Sequence, residues 1–196
     1  LVLCGFMGSG KSTVGKILSK SLNIDFIDLD DYIVEKRNMN IPYIFENYGE
    51  KNFRKSEEQA VKNVSKLNNI IISLGGGTVI SEKNVLTLKQ NGKIVFLNIS
   101  AEECYNRLKN NKSRPLLNTD DKFKKIELML SERLPFYQKA ADYIIDVNNK
   151  NSYIISAVAA AFTFIKFMFP YLSLDKWWSI FMMLPLKLSK SADILS

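Results

Sequence analysis

Short apolar runs alternate along this chain with longer stretches in which apolar residues recur every three or four positions. The first run, LVLC at residues 1–4, reads as a buried strand. A glycine-rich segment follows, and KSTVGKILSKSL then sets Val14, Ile17, Leu18 and Leu22 at helical spacing. IDFIDLD predicts the next strand, and Asp28, Asp30 and Asp31 lie at its end. Two helices and a turn are expected over 31–48, then a longer helix in EKNFRKSEEQAVKNVSKL. IIISL predicts a buried strand closed by GGG, KIVFLNI another, and SAEECYNRLKN a helix that opens on a good N-cap. The segment NNKSRPLLNTDD is polar, proline-containing and poorly periodic, so a mobile loop is expected there. FKKIELMLSERLPFYQKA reads as helix at least up to Leu134, DYIIDV as a last strand and SYIISAVAAAFTFI as a last helix. Strands alternating with helices predict an α/β domain with a mainly parallel sheet, and no internal repeat is visible.

From Lys166 to Ser196 the pattern changes. KFMFPYLSLDKWWSIFMMLPLKL is aromatic and apolar but is broken by Pro170, Asp175, Lys176 and Pro185. Residues 154–172 approach the length of a membrane span, yet they contain Lys166 and Pro170 and overlap the helix needed to close the domain. A weakly ordered appendage is the expectation. An interfacial or partner-binding segment, with Trp177 and Trp178 as anchors, is the alternative, and a spanning segment is less favoured.

Composition narrows the chemistry. The length of 196 residues suits one compact domain, and 46% hydrophobic residues supply an ordinary core. There is no histidine, which excludes His-based triads and most zinc catalysis. The two cysteines, Cys4 and Cys104, form no CxxC or zinc pattern and are expected as reduced, buried thiols. The net charge of +7 fits a polyanionic ligand, but the lysines are spread out and no aromatic ladder accompanies them, so nucleic acid is not expected as a partner. The opening apolar run is too short for a signal peptide, and the start at Leu1 is expected to be trimmed or incomplete.

The segment GFMGSGKST, Gly5 to Thr13, satisfies GxxxxGK[ST] and lies where that motif must lie, after a strand and opening a helix. Its glycines let successive N–H groups turn inward, and the helix start adds positive potential for an anion. Gly8, Ser9, Gly10, Lys11, Ser12 and Thr13 are therefore the expected nucleotide contacts. Lys11 reaches for β- and γ-phosphate oxygens, and Ser12 offers its hydroxyl to Mg²⁺. Asp28 and Asp30, two apart on the expected strand, would face one crevice, one toward a metal and one toward an acceptor hydroxyl. Asp31 would point elsewhere and cap the next helix. Arg54 and Glu57 share a helix face at i,i+3, as a surface ion pair or as part of a site. Gly75, Gly76 and Gly77 allow close backbone approach, or simply end a strand. Arg107, Arg114 and Arg133 are the remaining cations of interest. Arg114 falls in the expected loop, and the fork of an arginine suits a carboxylate.

In this order GFMGSGKST, DLD, FRKSE, LGGG, RPLL and ERLPFY resemble shikimate kinase, over about residues 1–165. The resemblance implies a monomeric P-loop kinase of three layers, with a five-stranded parallel sheet of order 2-3-1-4-5 flanked by helices. It implies an acceptor-binding subdomain at about 31–60 and a lid at about 109–122, and leaves 166–196 as a tail without a counterpart. The implied reaction moves the γ-phosphoryl of ATP, with Mg²⁺, to the 3-hydroxyl of shikimate in the cytoplasm, without a phosphoenzyme. By resemblance Lys11 binds phosphate, and Ser12 and Asp28 hold the metal. Asp30 binds the acceptor hydroxyls and orients the attacking oxygen. Arg54 and Arg133 grip the carboxylate, Glu57 steadies Arg54, and Gly76 with Gly77 contacts the acceptor. Arg114 meets the phosphates from the lid, and Arg107 lies near adenine. A related small-molecule kinase with a gluconate-like acceptor and a non-catalytic ATP-binding regulator remain alternatives. Weak membrane or protein contact is assigned to the tail.

Overall fold

The computed structural model describes residues 1–109, 121–153 and 155. Residues 110–120, which include Arg114 and nearly all of the expected lid, lie outside them, as do the tail and nearly all of the expected last helix. Five strands form one parallel sheet: β1 (Val2–Cys4), β2 (Asp25–Asp28), β3 (Ile70–Ser73), β4 (Ile94–Asn98) and β5 (Tyr143–Asp146), in the order β2-β3-β1-β4-β5. Helices flank the sheet to give three layers. They are α1 (Lys11–Leu22), α2 (Leu29–Arg37), α3 (Ile41–Val64), α4 (Glu82–Asn91), α5 (Ala101–Leu108) and α6 (Lys122–Ala140). Parallel strands covered on both faces read as unbroken apolar runs. Val2–Cys4, Ile70–Ile72 and Ile94–Leu97 are accordingly all buried.

The register decides what meets at the carboxyl edge. Val2 pairs with Ile72 and with Ile94, and Asp28 pairs with Ser73. The ends of β2, β3 and β1 therefore lie side by side. They carry, in that order, an acid, a three-glycine turn and the phosphate loop. Chain order reverses about β1, which is where open α/β sheets place their ligands.

Three local outcomes lie beyond what the pattern fixes. First, β2 stops at Asp28 instead of running to the later acids. The Asp28 carboxylate accepts the Asp30 N–H and caps α2, whose first residue, Leu29, is fully buried. Asp31, expected as the cap, is exposed in the first helical turn. Second, α6, expected as helix at least up to Leu134, continues past Pro135 to Ala140. Proline removes one helical hydrogen bond, but the turn beyond it buries Tyr137 and Ala140 completely or nearly so. Tertiary burial outweighs the local break. Third, α4 was not anticipated from its periodicity. It is held by a Ser81 cap onto Asn84 and buries only Asn84 and Leu88. Helix α3 joins the second of the helices expected over 31–48 to the longer helix that follows, at Gly49, whose φ of 75° only glycine adopts without strain.

Gly15 shows why α1 can lie so close to the sheet. A Cβ at this position would run into the ring of Phe26 on β2. Gly15→Ala is expected to destabilise the fold by about 1–3 kcal/mol through overpacking. Urea unfolding would check this as a lower midpoint with an unchanged slope.

Candidate active site

The loop from Gly5 to Gly10 curls because Gly5, Gly8 and Gly10 all have positive φ. Gly10 caps α1 in the left-handed region. No side chain caps that helix end, and its first turn carries no acid. Its leading N–H groups are thus directed at the loop's concavity, an arrangement that favours an anion. Lys11 Nζ donates to the carbonyls of Gly5 (2.9 Å) and Phe6 (3.2 Å), which hold the ammonium across the loop. The Ser9 hydroxyl is buried and has no hydrogen-bond partner among the described residues. A cleft of about 1050 Å³ opens beside this loop, lined in part by Gly8, Gly10, Lys11, Ser12, Thr13 and Arg107.

Arg107 is built into the wall of that cleft. Its Nε donates to Glu103 (2.8 Å), and its Nη groups donate to the carbonyls of Gly8 (3.1 Å) and Val147 (2.9 Å). It fastens the phosphate loop to the segment after β5.

Ser12 Oγ donates to Asp28 Oδ2 at 2.6 Å, and Ser73 Oγ donates to the same oxygen at 3.1 Å. Asp28 Oδ1 takes the Asp30 N–H at 3.1 Å. Ser73 was not singled out in the sequence, although a lone hydroxyl residue closing an Ile-Ile-Ile strand was the available signal. Its contact follows from the strand pairing of Asp28 with Ser73.

The corner between β2 and α2 brings Asp30 alongside Asp28, although the two do not share a strand face. Burial pushes the Asp30 carboxyl up to about 6. The charges of Asp28, Glu57 and Asp31 push the same way, and the Lys11 ammonium opposes them. Lys11 and Asp30 are therefore near enough to feel each other.

The three-glycine turn gathers the remaining groups. Each successive glycine leaves room for one of them. A Cβ on Gly75 would lie 2.6 Å from Asp30 Oδ1, one on Gly76 3.5 Å from Arg133 Nη1, and one on Gly77 2.8 Å from Arg54 Nη1 and Nη2. One carboxylate from α2 and two guanidinium groups, from α3 and α6, thus converge over one turn. Arg133 also lies over the Phe6 ring of the phosphate loop, 6.0 Å from its centroid.

Arg54 Nη1 pairs with Glu57 at 2.9 Å, and its Nε and Nη2 pair with Glu50 at 3.2 and 3.1 Å. Glu57 is only 1% exposed, so this is no ordinary surface pair. Its other oxygen accepts the Thr78 hydroxyl at 2.7 Å. On the far side of the turn the Tyr137 hydroxyl donates to the Gly76 carbonyl at 2.5 Å. Thr78 closes the Gly75–Thr78 stretch and Tyr137 the ERLPFY motif, but the sequence assigned neither side chain a role. A threonine after three glycines and a tyrosine after a proline carry no pattern of their own. Cys4 and Cys104 are both buried, and burial pushes the Cys4 thiol up to about 12, which keeps it inert.

The site therefore pairs an anion cradle with an acid and a two-arginine fork, on adjacent strand ends of one sheet. A family model for shikimate kinase matches residues 7–163. The shikimate kinase of Caldicellulosiruptor saccharolyticus is 45% identical over 148 residues, which is 76% of this chain and 86% of that one. That of Caldanaerobacter subterraneus is 43% identical over 150 residues, 76% and 87% of the two chains. Among solved structures, the Acinetobacter baumannii shikimate kinase in complex with shikimate superposes with a TM-score of 0.79 at 32% identity. The match covers 84% of this chain and 92% of that one. The Aquifex aeolicus shikimate kinase gives a TM-score of 0.69 at 39% identity, over 81% and 92%. By its phosphate loop, its sheet order and the extent of these matches, the chain belongs to the shikimate kinase family.

Proposed function

We propose that this chain transfers the γ-phosphoryl group of ATP to the 3-hydroxyl of shikimate, giving ADP and shikimate 3-phosphate. One observation carries the choice of acceptor: Asp30, Arg133 and Arg54 each face one of three consecutive glycines. The arrangement suits a small molecule bearing both hydroxyls and a carboxylate, and the solved relative from Acinetobacter baumannii holds shikimate.

The phosphates are received by the α1 N–H groups and by Lys11. Loop carbonyls already hold the Lys11 ammonium in place, so little side-chain freedom is lost on binding. Ser12 and Asp28 present hard oxygens 2.6 Å apart, a donor set suited to Mg²⁺. Among the described residues there is no group of three acidic or thiol side chains that would cage an ion alone. That matches a metal that shares its coordination with nucleotide phosphates. When bound, Mg²⁺ supplies charge neutralisation at the β- and γ-phosphate oxygens.

Arg54 and Arg133 fix the acceptor by its carboxylate, and Phe6 and Glu57 hold those arginines in place. Asp30 accepts the acceptor's hydroxyl proton as the oxygen attacks. A carboxyl titrating near 6 is ionised at neutral pH yet basic enough to take that proton. Positioning both substrates together suffices for direct in-line transfer, so no phosphoenzyme is invoked. A monomer as the working unit belongs to the same proposal and rests on the family resemblance. Cytoplasmic location belongs to the same proposal and rests on the family resemblance, with weak membrane or protein contact assigned to residues 166–196.

The deciding experiment is an assay of the purified chain with ATP, Mg²⁺ and either shikimate or gluconate, scored as phosphorylated product. Product from shikimate alone is the expected result, and product from gluconate alone overturns the assignment. Gly75→Ala provides a finer check. The added methyl displaces the Asp30 carboxylate, so kcat should fall by about 10–100-fold with the melting temperature little changed. An unaltered kcat would mean that Asp30 need not sit where it does.

A further inference from the structure

Arg54 and Arg133 come from helices far apart in sequence, and long cationic side chains lose much rotamer freedom when they are fixed. Something must hold both of them at one spacing. Each arm proves to be tied to the same glycine turn through one hydroxyl. On the α3 side the chain of contacts runs from Arg54 to Glu57 (2.9 Å) and from Glu57 to Thr78 Oγ1 (2.7 Å). Thr78 is fully buried. Its N–H donates to the Gly75 carbonyl (3.2 Å), and its own carbonyl takes Asn84 Nδ2 (3.2 Å). On the α6 side the Arg133 guanidinium and the Tyr137 hydroxyl lie together beside Gly76, 3.5 and 3.9 Å from where a Cβ on it would stand. That hydroxyl donates to the Gly76 carbonyl. The Tyr137 ring is fully buried and stacked on Phe96, with centroids 5.1 Å apart, so the hydroxyl has little room to shift.

We propose that Thr78 and Tyr137 are positioning residues for the acceptor: two hydroxyl tethers that hold Arg54 and Arg133 in register with the glycine turn. The inference rests on the proposed carboxylate clamp. Without the Thr78 hydroxyl, Glu57 keeps one buried oxygen with no donor, and its grip on Arg54 changes. Without the Tyr137 hydroxyl, the Gly76 carbonyl loses its donor and the Arg133 guanidinium loses the polar neighbour it has beside the turn. A buried group left unpaired is the expensive outcome of removing one hydrogen-bond partner.

The test uses the full chain with Thr78→Val and Tyr137→Phe, which remove the hydroxyls with little change of shape, and Thr78→Ser, which restores one. Each of the first two should raise the KM for shikimate about tenfold, as expected for one buried hydrogen bond to a charged group. The kcat and the KM for ATP should stay within about twofold, because carboxylate binding is common to ground and transition states. Thr78→Ser should return to the parent value. Equal losses for both substrates, or an unchanged shikimate KM in folded variants, would refute the tethers. If Thr78→Val does not fold, Tyr137→Phe decides alone. Side-chain Nε–H resonances provide a readout that needs no substrate. Thr78→Val should shift or broaden the Arg54 signal, and Tyr137→Phe that of Arg133. A parent chain that fails to phosphorylate shikimate refutes the functional proposal, and these resonances then still judge the tethers.

Discussion

Replacing Asp30 by asparagine is expected to lower kcat by about 10²–10⁴-fold, the usual contribution of a positioned general base. Affinity for ATP should survive, because the cradle is built from other residues. The same exchange should stabilise the fold. Burial lifts the Asp30 carboxyl from 3.8 to about 6, with Asp28, Glu57 and Asp31 adding to the lift. The folded state therefore holds this proton more tightly than the unfolded chain does. Stability falls as pH rises from about 4 through 6, and above that window ionised Asp30 costs on the order of 3 kcal/mol. Asparagine carries no such charge. The variant should unfold at higher urea than the parent at pH 7.5, and the gap should close toward pH 4. In the parent, kcat/KM should fall below about pH 6 as Asp30 takes up its proton. A variant that keeps its activity, or that is less stable at pH 7.5, would remove Asp30 from the proposed role.

Lys11→Met is the second large effect, expected at about 10²–10³-fold in kcat, as for loss of one preorganised donor at developing charge. Methionine keeps most of the stem's length and loses the ammonium. Asp30 should respond as well, because the Lys11 ammonium holds its carboxyl down. The acid limb of the pH–rate profile should therefore move to higher pH in this variant. Shikimate should still raise the melting temperature, because the contacts proposed for it lie on α2, α3 and α6. If Lys11→Met abolished shikimate binding while ATP bound as before, the division between cradle and clamp would be wrong.

Most of the strands and helices were legible because each carries one periodicity over its whole length. Buried parallel strands such as Ile70–Ile72 are uniformly apolar, and α1 repeats its apolar residues along one face. Legibility failed where two local preferences competed. IDFIDLD reads as one strand because apolar and acidic residues alternate. The chain breaks at Asp28 because that side chain satisfies the Asp30 N–H and because burial of Leu29 favours a helix start. Around Pro135 the pattern leaves the helix end open, and Tyr137, which fills the core, carries the helix on. The phosphate loop was fully visible, since its chemistry lies in consecutive residues and requires glycine at particular places. The pairing of Arg54 with Glu57 was visible as a spacing, but its burial was not.

From the sequence alone came the anion cradle, the alternation of strands and helices, and the set of charged residues available for an acceptor. What only the tertiary structure decided is which of those residues meet. Parallel pairing sets Ser73 against Asp28, and the strand order places the glycine turn between that acid and the phosphate loop. Space beside three glycines then admits Asp30, Arg133 and Arg54 together. Local order can be read from neighbours in the chain because it depends on dihedral preferences and short-range periodicity. Convergence over one turn depends on register and packing between segments far apart in sequence, and no stretch of the chain carries that information by itself.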